Sequence, residues 1–256
     1  MHFDAWLSGL AVMLAAAALT WIVSVLQRNV TIVDSLWSLL FVFGAWTYAH
    51  VVGLPGPRVT LLLALVTAWG LRLALYLSWR NLGHEEDRRY QAIRRRNEPN
   101  FAFKSLYLVF ALQAVLAWII SLPLVGAVAV PGPLGILDFV GAALCVVGLV
   151  FEAGGDWQLA RFKGDPANAG KVMDRGLWRY TRHPNYFGDF CVWWGFYAIA
   201  LAAGAWWSVP GPLLMSYLLL KVSGVRLLER DIGKRRPEYA DYVRRTNAFF
   251  PGPPKA

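Results

Sequence analysis

The chain has 256 residues, 57% of them hydrophobic, and its 25 Lys and Arg against 16 Asp and Glu give a formal net charge of +9. Mean hydropathy is +0.43, and several apolar runs reach the roughly 20 residues that a helix needs to cross a bilayer, which argues against a soluble globular domain. The two cysteines, Cys145 and Cys191, both fall in apolar segments, which argues against a disulfide framework or a metal site.

In chain order the apolar runs predict about seven spans: Phe3–Leu26, Val33–Val52, Val59–Trp79, Leu106–Val130 with a break near Pro123, Leu134–Phe151, the short Phe190–Ala203, and Trp206–Leu228. The first is read as a span and not a cleaved leader, because Met1-His2-Phe3-Asp4 has no basic region ahead of it. No internal repeat and no Gly-rich phosphate loop of the soluble dinucleotide-binding type interrupts this pattern. The expected fold is an all-α, polytopic, single integral-membrane domain over residues 1–256.

Basic residues crowd three places: Arg80 to Lys104, Arg161 to Arg182, and Arg226 to Lys255. The opposite connections, around Gly53–Pro57, Pro131–Pro133 and Gly204–Pro210, are short and carry only Arg58. Positive charge gathers on cytoplasmic loops, so the C-terminus is expected in the cytoplasm and, with seven spans, the N-terminus outside, in a bacterial inner membrane. Attraction to anionic membrane lipid accounts for most of the Arg88–Arg96 cluster. Such short, tethered loops do not suit nucleic acid, and nothing implies a protein partner.

Several polar groups lie where loop charge does not explain them. Asp34 opens the second span, as a helix N-cap or as a functional acid. Arg72 lies deep in the third span with Tyr76 one turn later, and calls for an acidic partner or a phosphate. Glu152 and Asp156, at i and i+4, end the fifth span; they are either that partner or the end of a helix that has left the membrane. Just before the sixth span, Arg179-Tyr180-Thr181-Arg182-His183-Pro184-Asn185-Tyr186-Phe187-Gly188-Asp189 combines charge with Pro and Gly interruptions. A break at membrane depth frees backbone groups for a polar cavity. If the chain is helical past this point, Asn185 and Asp189 share a face.

Pro184-Asn185-Tyr186-Phe187-Gly188-Asp189 followed by Trp193, the Gly148–Asp156 segment, and the tail with Tyr239, Tyr242, Arg244, Arg245 and Phe250-Pro251 resemble the membrane steroid 5α-reductases (3-oxo-5α-steroid 4-dehydrogenases) and their bacterial homologues. The resemblance runs from about Val33 to Pro251. It implies a helical enclosure for NADPH, which reduces the C=C bond of an enone steroid or terpenoid, with no metal. By position it implies cofactor contacts at Arg72, Asp156, Lys163, Lys171, Asn185, Asp189 and Arg226, together with Arg182, His183, Tyr186, Tyr242 and Arg245 in the matching segments. Asp34 falls at the family's carbonyl-binding Glu, where a protonated carboxyl would hydrogen-bond the developing enolate. Val33 replaces the preceding Gln, Glu152 replaces an Asn, and the family's paired tail histidines are absent around Leu228-Glu229-Arg230-Asp231. The family's Tyr partner falls on Trp69, with Tyr76 or Tyr90 as substitutes; the sequence does not choose among them.

Arg182-His183-Pro184, Tyr186, Glu229, Tyr239, Tyr242 and Pro251 also resemble the isoprenylcysteine and phospholipid methyltransferases, which bind S-adenosylmethionine. Asn185 with Asp189, the Asp156 segment and the positive charge of Arg72, Lys163 and Lys171 favour a phosphate-bearing cofactor over a zwitterionic sulfonium one. A transporter would show inverted repeats or paired broken helices, and the sequence has neither. The expected activity is that of an NADPH-dependent enone reductase.

Overall fold

A computed structural model describes residues 2–130, 132–222 and 238–255, and among them every regular element is helical. The helices are α1 (Phe3–Gln27), α2 (Ile32–Val52), α3 (Pro57–Asn81), the loop helix α4 (Arg88–Asn97), α5 (Phe101–Ile120), α6 (Leu122–Val128), α7 (Ile136–Gly164), α8 (Pro184–Ala202), α9 (Pro210–Tyr217) and α10 (Tyr239–Arg245). Five of them, α1, α2, α3, α5 and α7, are long and apolar enough to cross a membrane. The protein is therefore an all-helical membrane protein.

The chain forms two compact units. The first comprises Met1–Ile136 with Ile199–Pro210, and the second Leu137–Ala198 with Gly211–Ala256. In the first, α2 packs against α1, α3, α5 and α6. Leu40, Phe41, Tyr48, Leu62 and Trp69 are fully buried there, while Leu19, Leu26, Leu75 and Trp79 face outward, as helices solvated by lipid require. α2 stops at Gly53, whose left-handed φ of 66° lets its N–H reach the Ala49 carbonyl. α5 contains a π-helical turn at Leu106–Ala111 and ends at Ser121, whose hydroxyl is shared with Tyr48 at 2.6 Å. The expected break near Pro123 falls there, because a proline two residues on cannot donate a helical N–H.

In the second unit α7 and α8 meet through small residues. A Cβ at Gly188 would lie 2.4 Å from the Gly148 carbonyl oxygen, and one at Gly195 2.6 Å from that of Gly141. The backbones touch, which is how helices associate when lipid is as apolar as any side chain. Two expectations are corrected here. α7 runs 13 residues past Phe151 to Gly164, so Glu152 and Asp156 lie inside it; helix propagation needs only internal hydrogen bonds, and beyond Gly154 and Gly155 the good helix formers Gln158-Leu159-Ala160-Arg161 carry it on. Its 29 residues span roughly 43 Å, more than a hydrocarbon core of about 30 Å. α8 begins at Pro184, six residues before the expected Phe190, since proline suits the first helical position; Gly188 is a contact point within the helix and not a break. Asn185 and Asp189 thus do lie one turn apart on one helix. α8 itself is not among the five long apolar helices. The seventh expected span is a short 3₁₀ turn at Trp206–Ser208, then α9 and a π turn at Leu218–Val222, and its remainder lies outside the described residues.

Candidate functional site

In the first unit Asp34 sits in the first turn of α2, two residues inside the helix, and Thr31 holds the N-cap position. The N-cap reading of Asp34 is thereby corrected: the helix starts earlier because the N–H groups of Val33 and Asp34 are already taken by the Val30 and Thr31 carbonyls. The Tyr90 hydroxyl donates to Asp34 Oδ1 at 2.6 Å, and Arg89 Nη2 donates to Oδ2 at 2.8 Å. Gln113 Nε2, from α5, reaches the Tyr90 oxygen at 3.4 Å. Both carboxyl oxygens are acceptors in this arrangement, so the donors of the cluster belong to Tyr90 and Arg89. Burial, then the Asp34 charge beside it, pushes the Tyr90 pKa up. Burial opposes the Arg89 cation, but Asp34 and Asp87 outweigh it and raise its pKa.

The loop carrying Tyr90 is tied to the start of α2. Glu86 accepts from the Val30 N–H and from Arg94, and the Asp87 N–H donates to Thr31 Oγ1. Partial burial works against the Glu86 carboxylate, yet Arg94 and the Val30 N–H hold its pKa below the usual value. Asp87 caps α4 through the Arg89 N–H. The basic cluster read as lipid attraction is thus partly ion-paired within the protein. The signal was present in Glu85-Glu86-Asp87, an acidic run directly before the arginines. Of the other residues expected here, Trp69 is fully buried beside Phe41, Tyr76 lies against Trp79, and Arg72 is half-buried within α3.

In the second unit the Asn185 side-chain amide donates to Asp156 Oδ1 at 3.2 Å, joining α8 to α7. Asn185 Oδ1 in turn accepts the Tyr186 N–H. Asp156, Glu152 and Asp189 are 5%, 3% and 8% exposed, so three acidic side chains are buried along the α7–α8 seam. His183 and Tyr186 stack with ring centroids 5.7 Å apart and planes 10° from parallel. Arg182 is buried, and its Nη1 donates to the Val243 and Thr246 carbonyls while its N–H meets Asn247. Tyr242 donates to the Trp178 carbonyl, and the Trp178 indole donates to that of Gly155, next to Asp156. Arg182 and Tyr242 therefore fasten the C-terminal tail to the loop ahead of α8. Lys163 and Lys171 are exposed, Arg245 faces Asp174 at 3.7 Å, and Arg226 lies outside the described residues.

A model of DUF1295, a family described as a protein of unknown function, matches residues 20–246. The chain belongs to this family. DUF1295 is steroid 5α-reductase-like in general, which agrees with the expected kinship at that level. An uncharacterized protein of Schizosaccharomyces pombe is 25% identical over 267 aligned positions, covering 90% of this chain and 75% of the relative. No solved structure matches the chain. The DUF1295 match takes in Asp34, the Tyr90 loop, the α7–α8 seam and α10.

Proposed function

We propose that this DUF1295 protein is a polytopic membrane reductase that uses NADPH to saturate the C=C bond of an apolar enone, a 3-oxo-Δ4-steroid or a related terpenoid. The observation that carries the reading is the Asn185–Asp156 hydrogen bond. Two residues 29 positions apart, which the reductase resemblance independently assigns to cofactor contact, are held together on facing helices.

The donor set fits a phosphate-bearing dinucleotide. Buried carboxylates at Asp156 and Glu152 suit ribose hydroxyls, the stacked His183–Tyr186 pair offers an aromatic face, and Lys163 and Lys171 supply cations for phosphate. The cofactor, when bound, supplies the hydride. The chain's own part is electrostatic. Asp34, itself held by the Tyr90 hydroxyl, fixes Arg89, and the guanidinium stabilises the oxygen on which charge develops as the enone is reduced. Asp34 thus acts through the guanidinium that it holds. The apolar substrate enters from lipid. We assign the sixth and seventh spans to α8 and to the segment from Pro210 onward, with the C-terminus and the cofactor side in the cytoplasm.

Thermal stability of the protein purified in detergent tests this reading. NADPH raises the melting temperature, and Asn185→Ala weakens that effect by about 1–3 kcal/mol, the cost of an unmet buried polar group. Stabilisation by S-adenosylmethionine with none by NADPH sinks the reductase reading and favours the methyltransferase one, whose Glu229 lies outside the described residues.

A further inference from the structure

The loop ahead of α8 and the C-terminal helix enclose a cleft of about 410 Å³, lined by Asp174, Arg175, Arg179, Tyr242, Arg245 and Thr246 among others. Three guanidinium groups face one carboxylate, so the lining carries a net charge of +2. Arg245 approaches Asp174 at 3.7 Å, beyond hydrogen-bond distance, and Arg175 and Arg179 make no side-chain hydrogen bond or ion pair among the described residues.

The walls of this cleft are fixed, unlike those of an ordinary basic surface. Gly176 adopts a left-handed φ of 58°, and a Cβ there would meet the Gln158 amide at 2.6 Å. That amide accepts the Leu177 N–H, which pins the turn bearing Arg175 and Arg179. On the opposite wall Tyr242 is bonded to the Trp178 carbonyl, Thr246 accepts from the buried Arg182, and the Arg245 carbonyl accepts from the Lys255 N–H. Cations presented on a rigid frame lose little freedom when an anion binds, and the planar guanidinium matches phosphate oxygens two at a time.

We propose that this cleft binds a phosphate group carried on a larger ligand, because its volume exceeds what an isolated phosphate fills. A nucleotide-like phosphate from the aqueous side and the headgroup of an anionic lipid share this chemistry. Tyr242 and Arg245 are also among the cofactor contacts that the reductase resemblance implies, whereas Arg175 and Arg179 are not, and the proposal stands on those two arginines.

The test uses the full-length protein in phosphatidylcholine nanodiscs, with and without phosphatidylglycerol, and inorganic pyrophosphate as the soluble probe. Melting temperature is read for the wild type, for Arg175→Gln/Arg179→Gln, and for Arg88→Gln/Arg95→Gln as an equally discharged control in another loop. Pyrophosphate stabilises the wild type and the control, and its apparent affinity drops by roughly tenfold or more in the cleft variant, as lost charge-assisted hydrogen bonds require. If instead only phosphatidylglycerol stabilises, and the cleft variant alone loses the effect, the phosphate is a lipid's. The proposal is overturned if neither anion stabilises the wild type, or if the cleft variant responds as the wild type does. Neither arm contains NADPH or an enone, so failure here is distinct from failure of the reductase reading. Should the cleft variant fold poorly, Arg245→Lys, which keeps the charge but not the fork, is expected to weaken pyrophosphate binding less than Arg245→Gln.

Discussion

A phenol whose proton is given to a carboxylate has a fixed position and a polarised oxygen, and Tyr90 is such a phenol. Its 2.6 Å bond to Asp34, with Arg89 on the other carboxyl oxygen, makes the three side chains one unit. Tyr90→Phe leaves Asp34 Oδ1 without that donor and loosens its hold on Arg89, so enone turnover is expected to fall by about tenfold or more while NADPH-induced stabilisation is unchanged. Asp34→Asn is expected to do the same by releasing Arg89. Steady-state kinetics beside thermal shifts separates the outcomes; unchanged turnover in both variants removes the cluster from the mechanism. Asp34 was legible in the sequence because it is an acid at the head of an apolar run. Its aromatic partner was not, since Trp69, Tyr76 and Tyr90 all lie within reach of a plausible helix register. Only the ties from Glu86 and Asp87 to Val30 and Thr31 choose Tyr90.

At the scale of elements, the α7–α8 seam decides whether the acidic residues of the second unit stay buried together. Gly188 lies where a Cβ would come within 2.4 Å of the Gly148 oxygen and 2.7 Å of the Glu152 nitrogen, both backbone atoms that cannot yield alone. Gly188→Ala is therefore expected to destabilise the protein by about 1–3 kcal/mol and to weaken any cofactor effect that uses Asn185. Gly164→Ala, at the exposed end of α7 with nothing within 4 Å, is expected to be neutral or slightly stabilising. Thermal melts of the two variants compare them directly, and equal melting temperatures contradict the close-contact account. The apolar centres of α1, α2, α3 and α5 could be read from hydropathy, which depends on local composition. The ends of α7 and the start of α8 could not, because a helix continues wherever its hydrogen bonds do, and because Gly188 looks like a break until a second helix is laid against it.

For the whole molecule, five helices long and apolar enough to cross a membrane place this DUF1295 protein in a bilayer, and the distribution of arginine supplies the proposed orientation. Exposed sites at Leu54 and Arg96 test that orientation. A cysteine at Leu54 is expected to react with a membrane-impermeant maleimide on intact cells, and one at Arg96 only after permeabilisation; the native Cys145 and Cys191 are buried. The reverse pattern contradicts the cytoplasmic placement of the basic loops. The central claim concerns chemistry and is tested most directly by following the hydride. Protein in nanodiscs is given NADPH deuterated at the transferable C4 position together with a 3-oxo-Δ4-steroid, and the product is analysed by mass spectrometry and NMR. The account predicts one deuterium at the former β-carbon and none elsewhere. A product that is unlabelled, or a chain that transfers a methyl group from S-adenosylmethionine and leaves the enone intact, would contradict it.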